Sequence, residues 1–330
     1  MLAAPKWISR RRHQALRADF YMGVVIVVVA VACSLAGIGG PYGISLVAAG
    51  LFYATATMGW CLQSGYGGMF SLAPAAIIMI AAYVSAFASN AGWPMGVAVL
   101  AGTLSGALAG FIVALATSRL KGHYFALATL VAAEIVRLAV TNEYDLTGGE
   151  AGLRTGPLFD GATGVHISLV FAGVLILLLV ALLAALRGMP GIAMQAIRDD
   201  EGIAAIRGLN VPLVKTLIVV AGSSITAFAG AVYVHYIQLA TPQMGSLFQT
   251  TFIMSIGIIG GVRSMSGAIV GAALIVGLQE VLRDYPFTHM GLTALAILLV
   301  CQFAPAGFAG LLLGRARRIQ QRFAVSEHAK

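Results

Sequence analysis

Stretches of about 20 apolar residues recur along the whole of this chain, cut apart by glycine, proline and short basic clusters. A helix rises about 1.5 Å per residue, so each such stretch is long enough to cross the roughly 30 Å hydrocarbon layer of a bilayer. Cutting at those signals gives ten candidate spans, at 20–37, 44–62, 69–89, 95–117, 123–141, 165–186, 213–236, 247–262, 265–282 and 290–313. The composition agrees. Of 330 residues, 59% are hydrophobic and 10% charged, with a mean hydropathy of +0.92, where a soluble domain carries about 25% charged residues. That is too little polar surface to cover a core facing water. The expected fold is an all-α integral membrane protein of about ten transmembrane helices. A basic segment 1–19 precedes the transmembrane domain 20–313, and a basic tail 314–330 follows it.

The net charge of +8 does not imply nucleic acid, because the basic residues sit between apolar runs instead of along one face. With the first residues inside the cell, ten spans put all but three of the 20 basic residues on the cytoplasmic side. The exceptions, Arg137, Arg154 and Arg283, fall at or beyond outer ends. The positive-inside rule therefore predicts cytoplasmic termini, and an odd number of spans would break the agreement. Residues 142–164, with Glu143, Asp145, Glu150, Asp160 and several glycines, read as an outer loop. The arginines before residue 20 resemble the charged region of a signal peptide, but the repeated later spans argue against cleavage. Cys33 follows a run that weakly resembles a lipoprotein processing site and reads instead as helix interior. With Cys61 and Cys301 it lies in an apolar run without metal spacing, as an inert thiol.

Small residues let membrane helices approach closely, and glycine recurs at spacing four in Gly102, Gly106 and Gly110. The same spacing in Gly267 and Gly271 marks helix packing, with a gate or conduit lining as the alternative. Spans eight and nine are short and joined by Gly260, Gly261, Val262, Arg263 and Ser264, a pattern compatible with half-helices.

Groups with reactive chemistry are sparse. There is no HExxH or GxSxG motif, no lysine follows a glycine, and six histidines are too scattered to form a metal site by spacing. This predicts no enzyme activity, no metal and no cofactor bound by the chain. Glu134 lies about mid-membrane in span five, where an isolated charge costs roughly 2.5 to 3.5 kcal/mol. Arg137 at i+3 offers an ion pair; the alternative is a carboxylate facing a hydrated path and sensing a substrate ammonium. Glu280 is a second intramembrane carboxylate, while His123 and His235 read as interfacial or hydrogen-bonded residues at helix ends. The polar segment 187–212 contains Arg198, Asp199, Asp200, Glu201, Ala204, Ala205 and Gly208. It reads either as a short amphipathic helix that docks on another protein or as a solvated linker.

The string GHYFALATLVAAEIVRLAVTNEYDLTGGEAGL at 122–153 resembles a signature of the branched-chain amino-acid ABC permeases. The likeness continues through RDDEGIAAIRGLNVPLVK at 198–215, through 224–242, and through GGVRSMSGAIVGAALIVGLQE at 260–280. It implies the M-type of two homologous permease subunits in the bacterial inner membrane, working with two cytosolic ATPase subunits and a periplasmic substrate-binding protein. ATP would be used by those partners. The resemblance also implies that Asp199, Asp200, Glu201, Ala204, Ala205 and Gly208 form the segment that docks on the ATPase, with Gly202 and Ile203 replacing part of the usual E-A-A pattern. Ser71, Leu72, Ala73 and Pro74 stand where related permeases show S-L-G-H, a change that can alter the conduit lining. Competing readings are the same importer class carrying urea, short amides or aromatic acids, a secondary transporter, and a structural membrane subunit without a conduit.

Overall fold

The computed structural model describes residues 6–36, 40–117, 120, 122–158, 164–282, 291, 302 and 307–309. The chain is helical nearly throughout. The long helices are α1 (Lys6–Leu35), α2 (Gly40–Cys61), α3 (Pro74–Asn90), α4 (Met95–Thr117) and α5 (His123–Asn142). After the short α6 (Tyr144–Thr147) come α7 (Gly164–Arg187), α8 (Met189–Asp199), α9 (Glu201–Ile206) and α10 (Val211–Ile237), then α11 (Leu247–Gly260) and α12 (Met265–Val281). Among the described residues, six helices are long and apolar enough to cross a membrane, or seven if α11 and α12 together make one span. Most of the tenth candidate span, the basic tail and Cys301 lie outside the described residues.

The bundle is built around α10 and α2. Their apolar windows are 67% and 61% buried, against 28% for α4 and 22% for α5. Phe52 of α2 stacks on Tyr233 of α10 with ring centroids 4.0 Å apart. Trp60, nearly fully buried, packs edge-on to Phe70. The glycine stripe of α4 faces the centre: a Cβ at Gly106 would sit 2.2 Å from the Cβ of Ala227, and one at Gly110 would sit 2.4 Å from the Ser223 hydroxyl. The opposite side of α4 exposes Leu100, Leu104, Leu108 and Ile112. An apolar face of this kind suits lipid or another apolar helix.

Three of the expected spans change shape. Span three begins at Pro74, not at 69. Pro at the first helical position needs no N–H and has its φ already set for a helix. Residues 69–73 enter as irregular chain, and side chains satisfy its backbone: Trp60 Nε1 donates to the Ser71 carbonyl (2.9 Å), and the Leu72 N–H donates to Thr129 Oγ1 (2.9 Å). Spans eight and nine form a V, with α11 and α12 bent by 113° across a four-residue break. The half-helix alternative describes this pair better than two independent full spans. The break turns at Gly261, whose φ of +111° is open to glycine and strained for other residues. In addition, α2 does not end as an α-helix; it runs on as a π-turn, Leu62–Tyr66.

At one end of the bundle the loop after α5 is tied down. Strand β1 (Leu153–Arg154) pairs antiparallel with β2 (Leu239–Ala240), which follows α10. Asn90 Nδ2 donates to the Arg154 carbonyl (2.8 Å). His235 is buried there. Its Nδ1 donates to the Gly156 carbonyl (3.0 Å), which leaves Nε2 to accept from the Ser85 hydroxyl (2.8 Å). The other end carries α8 and α9.

Because Gly106 meets Ala227 directly, Gly106→Leu should push α4 off α10. Overpacking of this kind costs about 1–3 kcal/mol, so the expected result is a lower melting temperature and a lower folded yield in detergent. Gly96→Leu, at a glycine on the same helix with open space around it, is the control that should leave both unchanged.

Candidate functional site

The polar segment between α7 and α10 is two helices, not one. Asp200 is the reason. Its backbone is extended (φ −161°, ψ 113°), and its side chain accepts from the N–H groups of Gly202 (2.7 Å) and Ile203 (3.0 Å), capping α9 and so ending α8. The other end of α9 closes with Gly208 in the left-handed region (φ +86°). Its N–H donates to the Ala205 carbonyl (2.9 Å) and that of Leu209 to the Ala204 carbonyl (3.1 Å), the paired bonds of a Schellman end. A helix of six residues is too short to persist alone; two caps and its seating on the bundle hold it.

The six expected docking residues divide by position. Ala204 is buried against the bundle, whereas Ala205, Gly208 and the Asp199 side chain are exposed. The Glu201 carboxylate turns inward to pair with Lys215 of α10, whose side chain is 8% exposed. The outward face instead presents Ile203 and Ile206, the latter 88% exposed. Reasoning from the polar residues overlooked these two. Their signal was present all the same: isolated β-branched apolar residues three apart in a charged stretch.

Beside the Glu201–Lys215 pair lies a cavity of about 390 Å³. Met69, Phe70, His123 and Phe125 line it along with the two charged residues, so a mainly apolar wall carries one ion pair. The pair spans α9 and α10, so α9 contributes to the cavity wall through Glu201.

Glu134 and Arg137 sit apart from this end, midway along α5. Arg137 Nε donates to both carboxylate oxygens (3.1 and 3.0 Å), and a further bond from Nη2 completes a two-pronged pair. The side chains remain 42% and 28% exposed respectively, on a helix that packs against the bundle along only one side. The glycine set at the bend is tightly packed. A Cβ at Gly260 would meet the Gly267 carbonyl at 1.8 Å, and one at Gly271 would meet that of Ile256 at 2.0 Å. Gly261 forms the turn, and Ser264 Oγ caps α12 at the Gly267 N–H (3.1 Å).

One important group was overlooked. Asp19 of α1, placed by sequence in the basic leading segment, is 4% exposed. It accepts hydrogen bonds from the Ser264 and Ser266 hydroxyls and from the N–H groups of Met265 (3.1 Å) and Ser266 (3.3 Å). A carboxylate there satisfies the unpaired amides at the start of α12 and suits the positive end of its dipole. Among the described residues, no group of three His, Cys, Asp or Glu side chains is placed to hold a metal.

A bundle of apolar helices with a bent helix pair and a capped polar segment at one end is the architecture of a multi-pass membrane protein. The chain belongs to the family described as "Branched-chain amino acid transport system / permease component", whose model matches residues 42–302. It is 28% identical to the high-affinity branched-chain amino acid transport system permease protein LivM of Salmonella typhimurium, over 63% of this chain and 55% of that protein. It is 26% identical to the corresponding LivH of Escherichia coli, over 72% of this chain and 83% of that one. A probable branched-chain amino acid transport permease protein LivM from Methanocaldococcus jannaschii is 24% identical over 58% and 56%. The chain thus spans about half the length of the LivM relatives it matches. No solved structure matches it. The relatives are transport-system permease proteins by their names.

Two outcomes follow from this geometry. Arg137→Ala strands a carboxylate within a span, at a cost of roughly 2.5–3.5 kcal/mol on insertion scales, and should cut the membrane-inserted yield; adding Glu134→Gln should restore it. Restored insertion without restored transport would assign the pair to the conduit, and restoration of both would assign it to structure alone. Asp200→Ala removes the α9 cap, worth about 1 kcal/mol. It should accelerate amide hydrogen exchange across 201–206 roughly fivefold while the spans keep their protection.

Proposed function

We propose that this chain is the M-type one of two homologous permease subunits in an ATP-driven importer of branched-chain or similar amino acids, resident in the bacterial inner membrane with both termini in the cytoplasm. The single observation that carries the reading is α9: a helix capped at both ends, seated on the bundle through Ala204, and presenting Ile203 and Ile206 outward. A protruding apolar pair on a rigid mount is suited to a groove on a partner protein. Burying one such side chain contributes about 1.5–3 kcal/mol.

In this reading the partners are two cytosolic ATPase subunits, the second permease subunit and a periplasmic binding protein. ATP is bound and hydrolysed by the ATPases, and this chain holds no cofactor of its own. Closure of the ATPases displaces α8 and α9, and the bundle alternates between outward and inward access. The permease needs only weak affinity for its cargo, since tight binding would slow release; recognition belongs to the binding protein. The tied loop after α5 is its docking face. There Tyr144 and Leu146 are 72% and 65% exposed among the acidic side chains of Glu143, Asp145 and Glu150.

Ile206→Asp tests the assignment. It should leave insertion and folding unchanged, weaken binding of the ATPase to the detergent-solubilised permease at least about tenfold, a loss of about 1.4 kcal/mol, and abolish uptake in proteoliposomes. Unchanged uptake would refute the docking role. So would modification of a cysteine at 206 by an impermeant reagent added outside intact cells.

A further inference from the structure

The displacement proposed for α8 and α9 has to reach the bent helices, and a bonded route between them is present. Arg198, in the last turn of α8, donates from Nη1 to the Gly65 carbonyl (3.1 Å) and pairs through Nη2 with Asp199 (3.2 Å). Gly65 lies inside the π-turn that ends α2. A π-turn shifts the hydrogen-bond register by one residue. The Gly67 N–H reaches back to Leu62 (3.1 Å) and that of Met69 to Gln63 (3.0 Å), so the Gly65 carbonyl is turned toward the guanidinium. On the far side of the same turn, the Tyr66 hydroxyl donates to the Arg263 carbonyl (2.9 Å), in the break between α11 and α12. The backbones touch as well: a Cβ at Gly65 would lie 1.8 Å from the Val262 carbonyl oxygen, and one at Gly68 would lie 2.6 Å from Arg198 Cγ.

The π-turn is therefore wedged between α8 and the bend, with no slack on either side. It is guided as well, since Gln63 Nε2 bonds the Val219 carbonyl and the Ser223 hydroxyl of α10 (3.3 Å each). Beyond the bend, Asp19 holds the first residues of α12, so the break is gripped by the π-turn on one side and by α1 on the other. Close-packed contacts of this kind transmit displacement instead of absorbing it. We infer that Arg198 and Tyr66 are positioning residues that carry the movement of α8 through the π-turn Leu62–Tyr66 to the α11–α12 bend, making that bend the moving element of the transport cycle. The inference rests on the proposed importer reading for its driving force, while the mechanical link can be tested without it.

The test has two readouts. The first uses the chain alone in nanodiscs, by amide hydrogen exchange. Arg198→Ala and Tyr66→Phe should each accelerate exchange across 257–270 at least about threefold, leaving α4 and α5 unchanged. Arg198→Lys, which retains a donor, should restore part of the protection. The second uses the complete reconstituted transporter with its binding protein. Each single variant should lower uptake per ATP hydrolysed about tenfold while basal ATPase activity and complex yield persist, and the double variant should be no worse than the poorer single one, as two bonds on one route require. Bend exchange that ignores both substitutions overturns the link, as does a double variant whose losses multiply. If the wild-type transporter moves no substrate, the proposed function fails, and the exchange result still decides the link.

Discussion

Every peptide group placed in an apolar slab has to find its hydrogen-bond partner within the protein, and this constraint governs where the chain may depart from a helix. Regular helices meet it automatically. Among the described residues, the departures at 67–73 and 261–264 meet it with side chains brought from elsewhere: Trp60 and Thr129 serve the first, Asp19 and Tyr66 the second. The second site needs a carboxylate because it exposes the start of a helix, where several N–H groups point the same way and the dipole is positive. Asp19 is thus a charged residue whose burial is compensated by four donors.

The same constraint explains the wealth of glycine. Burial of apolar surface drives no association between helices already in lipid, so contact has to come from packing at short range. The stripe of α4 meets α10 through Gly106 and Gly110, and the V of α11 and α12 closes through Gly260, Gly267 and Gly271. Backbones pressed this closely leave little room for continuous deformation. The π-turn and the break beside it are the irregular elements within this packing, and the proposed coupling places the movement there.

How much of this was legible in the sequence depends on the range of the interaction. Span positions follow from local hydropathy, and the Glu134–Arg137 pair follows from a spacing of three on one helix, so both can be read from neighbouring residues. The GGVRS junction announced a break between spans eight and nine, though not its 113° angle. Asp19 could not be read: its partners are about 245 positions away, and its neighbourhood of arginines looked like a topology signal. The π-turn was equally hidden, because LQSGY has no distinctive pattern and its contacts are with Val262, Arg198 and α10, all distant in sequence. Within 187–212 the charged residues drew attention, yet Asp200 serves as a cap and Glu201 pairs with Lys215, which leaves Ile203 and Ile206 as the exposed apolar side chains of α9.

That division of labour is the one the docking role proposed above asks of α9. Exposed charges there are screened and contribute little to a stable contact. Fixed geometry and buried apolar area contribute more. The chain uses its acids where they fix geometry: Asp200 sets the start of α9, and Glu201 anchors it to α10 through a lysine that is itself almost buried. Arg198 continues the same logic inward, exchanging a surface charge for a directed bond to a backbone carbonyl. A segment that looks solvated by composition is therefore held by fixed bonds, and in the proposed coupling that rigidity is what lets a push on Ile203 and Ile206 arrive at the bend as displacement.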